Sequence, residues 1–387
     1  MADTTIAAVK VAPGQTEIRE FPLPEIPDDG ALLKVEVAGI CGSDVKMYQK
    51  PLPGNTVIMG HENVGRIAKA SRKFMERKGV KEGDLVFLEH YLPCLRCEWC
   101  HQGEYRHCEA TDWHHNPAAI RYGYTSADAA PYLWGGFGQY LFLPWNAIVH
   151  QVPEGVTPEL AGIGTPLANG IQWSLLDAGI GYGHKVLIQG PGQQGLAQVV
   201  AAKQAGADLV IVTGTTRDRR RLEVARELGA DCTIDVQRED PLERIMEITS
   251  RKGVDFSIDC TAGAGTAALK LGVEALKRKA GVLVVQGNEL PTFPDFPMER
   301  ITLKYITIKS ARGHSYHACE LAMQQLASHR FPLELATTHR FGIDEVDYAI
   351  KSVGGKGAPD VIHVSVMPWL QTALSTNGRE AASRAAS

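Results

Sequence analysis

From about residue 183 onward, short apolar segments alternate with helical sequence, and no other feature narrows the fold as far. "HKVLIQG" reads as a buried strand, "GPGQQG" as a turn, and "LAQVVAAKQAGA" as a helix that stops at Gly206. "DLVIVTG" is the next strand and "RRLEVARELGA" the next helix. "VDFSIDC" (254–260) and "GVLVVQG" (281–287) are two further strands, each preceded by helical sequence. Strands joined through helices pair in parallel, so this stretch predicts βαβ units in a doubly wound α/β sheet.

The turn within the first unit places Gly190, Gly192 and Gly195 in a G-x-G-x-x-G pattern. The pattern follows a strand and opens a helix, which is the context a dinucleotide site requires. The glycines let backbone approach a pyrophosphate, and the helix N-terminus offers free N–H groups and partial positive charge. The bland alternative is a tight turn with no ligand. An NAD site ordinarily ends its second strand with an acid that binds the ribose hydroxyls. Here Gly214 stands at that position, followed by Arg217, Arg219 and Arg220. Their charge leans the reading from NAD towards NADP, because a 2′-phosphate attracts guanidinium groups. A solvated helix start would explain the same arginines.

The first third has a different texture. "ALLKVEVAGI" (31–40) and "NVGRIAKA" (63–70) alternate apolar and polar residues between Pro- and Gly-marked gaps, as short strands do. After about residue 311 the pattern is mixed again, and 371–387 is small, polar and expected to be a mobile tail. A chain of 387 residues most readily makes two domains. The expected division is a β-rich domain from 1–165 and 312–370 around a nucleotide domain at 166–311. A formal charge of −4 gives no electrostatic reason for nucleic acid or an anionic membrane as partner. The start "MADTTIAAVKVAPG" lacks the basic and apolar regions of a signal peptide, so a cytoplasmic, reducing setting is the expectation.

In that setting "CLRCEWCHQGEYRHC" (94–108) reads as a metal cage within a lobe at 90–110. Cys94, Cys97, Cys100 and Cys108 can close a tetrahedron of thiolates about Zn²⁺. A single disulfide or redox pair leaves the other two cysteines without a purpose. Four thiolates leave no open coordination position, so this zinc is structural, and any catalytic metal must lie elsewhere.

"GICGSD" (39–44), "GHENVG" (60–65), the cysteine lobe, "GGFGQY" (135–140) and the glycine turn occur in an order and spacing that resembles the medium-chain, zinc-dependent alcohol and polyol dehydrogenase family, over about residues 5–365. The resemblance implies a GroES-like catalytic domain joined to a Rossmann domain. It also implies a homodimer or homotetramer acting on a small alcohol or ketone. It matches Cys41 and His61 to ligands of a catalytic zinc, and Glu62 to the acid beside that metal. Ser43 matches the hydroxyl that binds the substrate oxygen and starts a proton relay. Asp44 matches the acid that supports the ligand histidine. Taken singly, Cys41 is a small buried hydrophobe, His61 a loop histidine, and Ser43 and Asp44 a helix cap.

Two expected parts are missing. Alignment on "GTPLANG" (164–170) puts Thr165 where the family has its third ligand, and a neutral hydroxyl binds zinc poorly. Lys46 stands where the family ends its relay with histidine. Three explanations remain open, the first being preferred: Glu62 serves as the third ligand; a ligand comes from the inserted stretch 109–134, where His114 and His115 stand; or the catalytic metal is absent. The same insertion holds Trp113, Tyr122, Tyr124 and Trp134, which either wall a pocket for a bulky, apolar substrate or pack beneath a loop. The leading function is a zinc-dependent NAD(P) oxidoreductase of a secondary alcohol or ketone. The alternatives are a catalytic-zinc-free reductase of an activated C=C or C=O bond, and a non-enzymatic binding protein that presents the zinc lobe.

Overall fold

The structure is a computed structural model that describes residues 4–51, 56–112, 115–116, 118–286 and 292–370. The chain divides into two compact units, one comprising Met1–Thr165 and Thr337–Ser387, the other Pro166–Ala336.

In the first unit, strand Ala31–Gly39 is the hub of a seven-stranded sheet. It pairs antiparallel with Glu62–Ala70, Tyr140–Leu143 and His363–Val366. The alternation read in the sequence becomes a face rich in Leu33, Val35, Val86, Leu141 and Val364, packed into one apolar core with Phe137 and Tyr122. A smaller sheet places Thr4–Ala12 between Gln15–Pro22 and Val57–Ile58. The hub strand ends at Gly39, and helix Gly42–Gln49 follows at once. That helix is anchored at its far end: Lys10 donates to the carbonyls of Met47 and Lys50, and the Tyr48 hydroxyl donates to Asp347 at 2.7 Å. These anchors hold still the helix whose first turn carries Ser43 and Asp44.

The second unit is a six-stranded parallel sheet in the order Cys232–Asp235, Leu209–Gly214, Lys185–Gln189, Phe256–Asp259, Val282–Gln286, Thr307–Ala311. This is the doubly wound order, with the chain reversing direction beside the first strand. Its short strands read as continuous apolar runs because helices cover both faces. The unit continues to Ala336, past the boundary at 311 expected from the sequence. The reason is local: the Trp173 ring N–H donates to the Gly313 carbonyl at 2.9 Å, and Gln172 accepts from Ser315, so helix Tyr316–Ala327 packs on this unit. Among the described residues no helix is long and apolar enough to cross a membrane.

Candidate active site and metal centres

Sheet register brings the first cluster together. Gly39 pairs with Glu62 across the two strands, so Cys41, two residues past one strand end, meets His61 and Glu62 at the start of the other. The Cys41 sulfur, a His61 ring nitrogen and a Glu62 oxygen lie within 4.8 Å of one another. Asp44 works twice: one carboxylate oxygen accepts the Cys41 N–H at 2.9 Å, and the other stands 3.2 Å from His61 Nδ1. That leaves His61 Nε2 directed to the cluster, 3.3 Å from the Ser43 hydroxyl. Burial on its own would depress the His61 imidazolium, but the Asp44 carboxylate, with Tyr124 and Cys41, outweighs it and holds the group well above its ordinary range. The pocket therefore favours positive charge at this point.

Glu62 is fully buried, and among the described residues neither carboxylate oxygen has a hydrogen-bond partner. A buried anion without donors is costly unless a cation meets it. Thiolate, imidazole and carboxylate at this separation suit Zn²⁺ with a fourth position open. Thr165 is buried near the start of helix Gly164–Gly170 and adds no anionic donor. Lys46 is exposed on helix Gly42–Gln49.

The second cluster is Cys94, Cys97, Cys100 and Cys108, whose sulfurs also lie within 4.8 Å of one another. Cys97 and Cys100 sulfurs are 3.5 Å apart, too far for a disulfide and close to the ~3.8 Å edge of a tetrahedron with 2.3 Å Zn–S bonds. Burial raises the Cys94 thiol, but backbone N–H groups of Arg96 and Cys97 overcome this and bring it down to about 7. The Tyr105 hydroxyl, inside the lobe, donates to the buried Glu89 carboxylate at 2.5 Å and ties the lobe to the sheet.

Of the insertion's aromatics, Tyr122 and Trp134 belong to the core: Tyr122 donates to the Phe142 carbonyl, Trp134 to that of Ala129. The expected substrate wall reduces to Tyr124, whose ring lies 5.4 Å from that of His61. His115 is exposed and bonded to Asp112 in its own loop, while Trp113 and His114 lie outside the described residues. The sequence reading missed His363, whose Nε2 stands 3.8 Å from a Glu62 oxygen; it comes from a distant strand and no motif marks it. It also missed the bond between Tyr124 and Ser43.

At the glycine turn, a Cβ on Gly195 would fall 1.9 Å from the Gly190 carbonyl oxygen, and Gly190 has φ +92°. Packing explains those two. A Cβ on Gly192 would meet nothing within 4 Å among the described residues, and Gly192 caps helix Gln193–Gln204. A glycine that the protein itself does not need, at a helix N-terminus, suits the close approach of a pyrophosphate. Gly214 packs on the same turn, where a Cβ would lie 2.9 Å from the Pro191 ring. That contact leaves little room for an acidic side chain there. Asp218 is used as a cap, accepting from Thr215 and Arg221.

The family pattern described as "Alcohol dehydrogenase GroES-like domain" matches residues 27–154, and that described as "Zinc-binding dehydrogenase" matches 195–328. A Mycobacterium tuberculosis protein named "Probable alcohol dehydrogenase adh" is 36% identical over 330 residues, which is 84% of this chain and 88% of its own. Sorbitol dehydrogenase of Bombyx mori is 30% identical over 369 residues, 92% of this chain and 98% of its own. The crystal structure of an alcohol dehydrogenase from Thermotoga maritima matches with a TM-score of 0.82 at 26% identity, covering 94% of this chain and 99% of that one.

Proposed function

Because the chain belongs to the zinc-dependent, NAD(P)-dependent medium-chain alcohol dehydrogenase family, we propose that it interconverts a secondary alcohol and its ketone at a catalytic zinc held by Cys41, His61 and Glu62. One observation carries the ligand set: the buried Glu62 carboxylate has no hydrogen-bond donor among the described residues and lies within 4.8 Å of the Cys41 sulfur and a His61 ring nitrogen. Glu62 thus supplies the third anionic donor that Thr165 does not.

A zinc ion there supplies positive charge that eases loss of an alcohol proton and polarises a carbonyl. A nicotinamide held through Gly190, Gly192 and Gly195 supplies the two-electron hydride exchange. The chain's own groups do the rest. Ser43 Oγ holds the substrate oxygen and takes up or returns its proton. Asp44 fixes the tautomer and angle of His61, and so which nitrogen faces the cluster. The Tyr124 ring beside His61 favours a substrate with an apolar substituent.

Arg217 supports NADP over NAD. It is exposed directly after strand Leu209–Gly214 and, among the described residues, makes no ion pair. Arg219 and Arg220 face Glu223, and Arg221 faces Asp218.

A second reading, a reductase without catalytic zinc on the same scaffold, has Thr165 in its favour. Elemental analysis of protein purified without chelator separates the two. Two zincs per chain are expected, falling to one in Cys41→Ser and in His61→Ala. One zinc that neither change removes, but that Cys97→Ser does, would overturn the zinc-dependent reading.

A further inference from the structure

The Tyr124 hydroxyl donates to Ser43 Oγ at 3.4 Å, and Ser43 Oγ lies 3.3 Å from His61 Nε2. The loop that carries Tyr124 is pinned to the metal-ligand segment. A Cβ on Gly123 would fall 3.0 Å from the Gly60 carbonyl oxygen and 3.1 Å from the His61 Cβ. The Gly123 N–H donates to Trp134 O at 2.7 Å, and the Tyr122 N–H to His90 O at 3.3 Å. Arg121 sets its guanidinium carbon 5.1 Å from the centre of the Tyr124 ring. Tyr124 is only half-buried, whereas Asp44, His61 and Glu62 are buried. Tyr124 is therefore bonded to the Ser43 hydroxyl and in part open to solvent, on a loop held by the contacts above.

We propose that Tyr124 is the second member of the proton path: Ser43 Oγ exchanges a proton with the substrate oxygen, and Tyr124 Oη exchanges it onward with water. The proposal rests on the reading of Ser43 above. It supplies what Lys46 leaves open, a group to pass the proton out. A hydroxyl donates one hydrogen bond while accepting another, so two in series carry a proton either way without either becoming charged. The bond as it stands, Tyr124 to Ser43, is the direction of reduction; in oxidation both O–H groups turn, and the alcohol O–H proton passes to Ser43 Oγ as the Ser43 proton passes to Tyr124 Oη and the Tyr124 proton to water. The carbinol C–H leaves as hydride, with its two electrons, to the oxidised nicotinamide, and the C–O bond becomes C=O. One proton is released per turnover. The 3.4 Å separation is long for a hydroxyl pair, as such contacts often are before substrate draws them together.

The test is Tyr124→Phe, which removes one oxygen and keeps the ring. Zinc per chain and cofactor affinity are measured alongside kcat, KM and the response to added imidazole buffer. Two zincs retained, kcat lower by about 10²-fold, KM little changed, and a rate restored in proportion to imidazole is the expected result. Tyr124→Phe as fast as the parent, or slowed without any restoration by buffer, overturns the path. If Tyr124→Phe loses zinc, the comparison moves to Tyr124→His, which keeps a proton carrier: a rate near the parent's supports the path, and a comparable loss sinks it. Ser43→Ala separates this proposal from the one beneath it. Slow Ser43→Ala beside fast Tyr124→Phe removes only Tyr124, whereas Ser43→Ala with undiminished activity removes the role of Ser43 itself.

Discussion

His363 Nε2 lies 3.8 Å from a Glu62 carboxylate oxygen, and both side chains are fully buried. Neither ring nitrogen of His363 has a hydrogen-bond partner among the described residues. The two come from strands on either side of Ala31–Gly39, and Gly39 sits between them. The sheet itself thus sets an imidazole against the carboxylate that faces Cys41 and His61. An oriented carboxylate is a better ligand than a mobile one.

His363→Gln is expected to weaken zinc at the Cys41 site by roughly 10–100-fold, the usual effect of losing an outer-shell partner, and to spare the cysteine lobe. Competition with a chromophoric chelator measures this. Two zincs that remain equally tight would show that His363 does not support Glu62.

Gly39→Ala is expected to lose the same zinc by another route. Its Cβ would fall 2.8 Å from both the Glu62 oxygen and His363 Nε2, closer than real Cβ contacts come. Elemental analysis should read one zinc per chain, with the four-cysteine metal intact. Retention of both metals would mean that Glu62 is not a required ligand.

Cys97→Ser leaves three thiolates around the lobe metal, and the cost is expected in stability. Zinc should fall by one and the thermal midpoint should drop, because binding energy at a structural zinc is folding energy. Hydride transfer in protein that is still folded should persist. Activity abolished with the midpoint unchanged would contradict a purely structural metal.

The glycine turn separates fold from cofactor. Gly195→Ala should destabilise the second unit, since its Cβ would lie 1.9 Å from the Gly190 carbonyl oxygen. Gly192→Ala, in open space, should leave the thermal midpoint nearly unchanged and weaken dinucleotide binding by about 10-fold or more. Calorimetry and fluorescence titration check the pair. Equal cofactor affinity in Gly192→Ala would count against a pyrophosphate at that position.

Arg217→Ala should weaken NADP binding by about 10- to 100-fold, the worth of one charge-assisted hydrogen bond, and leave NAD binding nearly unchanged. Titration with both cofactors at one ionic strength decides it. Parallel losses for the two would exclude a contact with the 2′-phosphate.

Much of this was legible because the chemistry is local in sequence. The cysteines lie within fifteen residues, so their spacing alone proposes a cage. The strand–glycine–helix unit is equally contiguous, and its apolar runs point to a parallel sheet on their own. The boundary at 311 misled because helix Tyr316–Ala327 carries no mark of which unit it packs on; Trp173 and Gln172 decide that. Tyr122, Tyr124 and Trp134 look alike in sequence, yet two bury in the core and one reaches Ser43.

Sequence by itself determined the two folds and pointed to Cys94, Cys97, Cys100 and Cys108 as one cluster and to Cys41 and His61 as part of another, because short-range spacing and periodicity constrain what neighbouring residues can do. Only the tertiary structure decided that Glu62 is buried with no donor among the described residues, that His363 faces it, and that Tyr124 meets Ser43. Those relations depend on strand register and loop docking between segments far apart in the chain, and a side chain's partner across a sheet is set by packing, which no local pattern records.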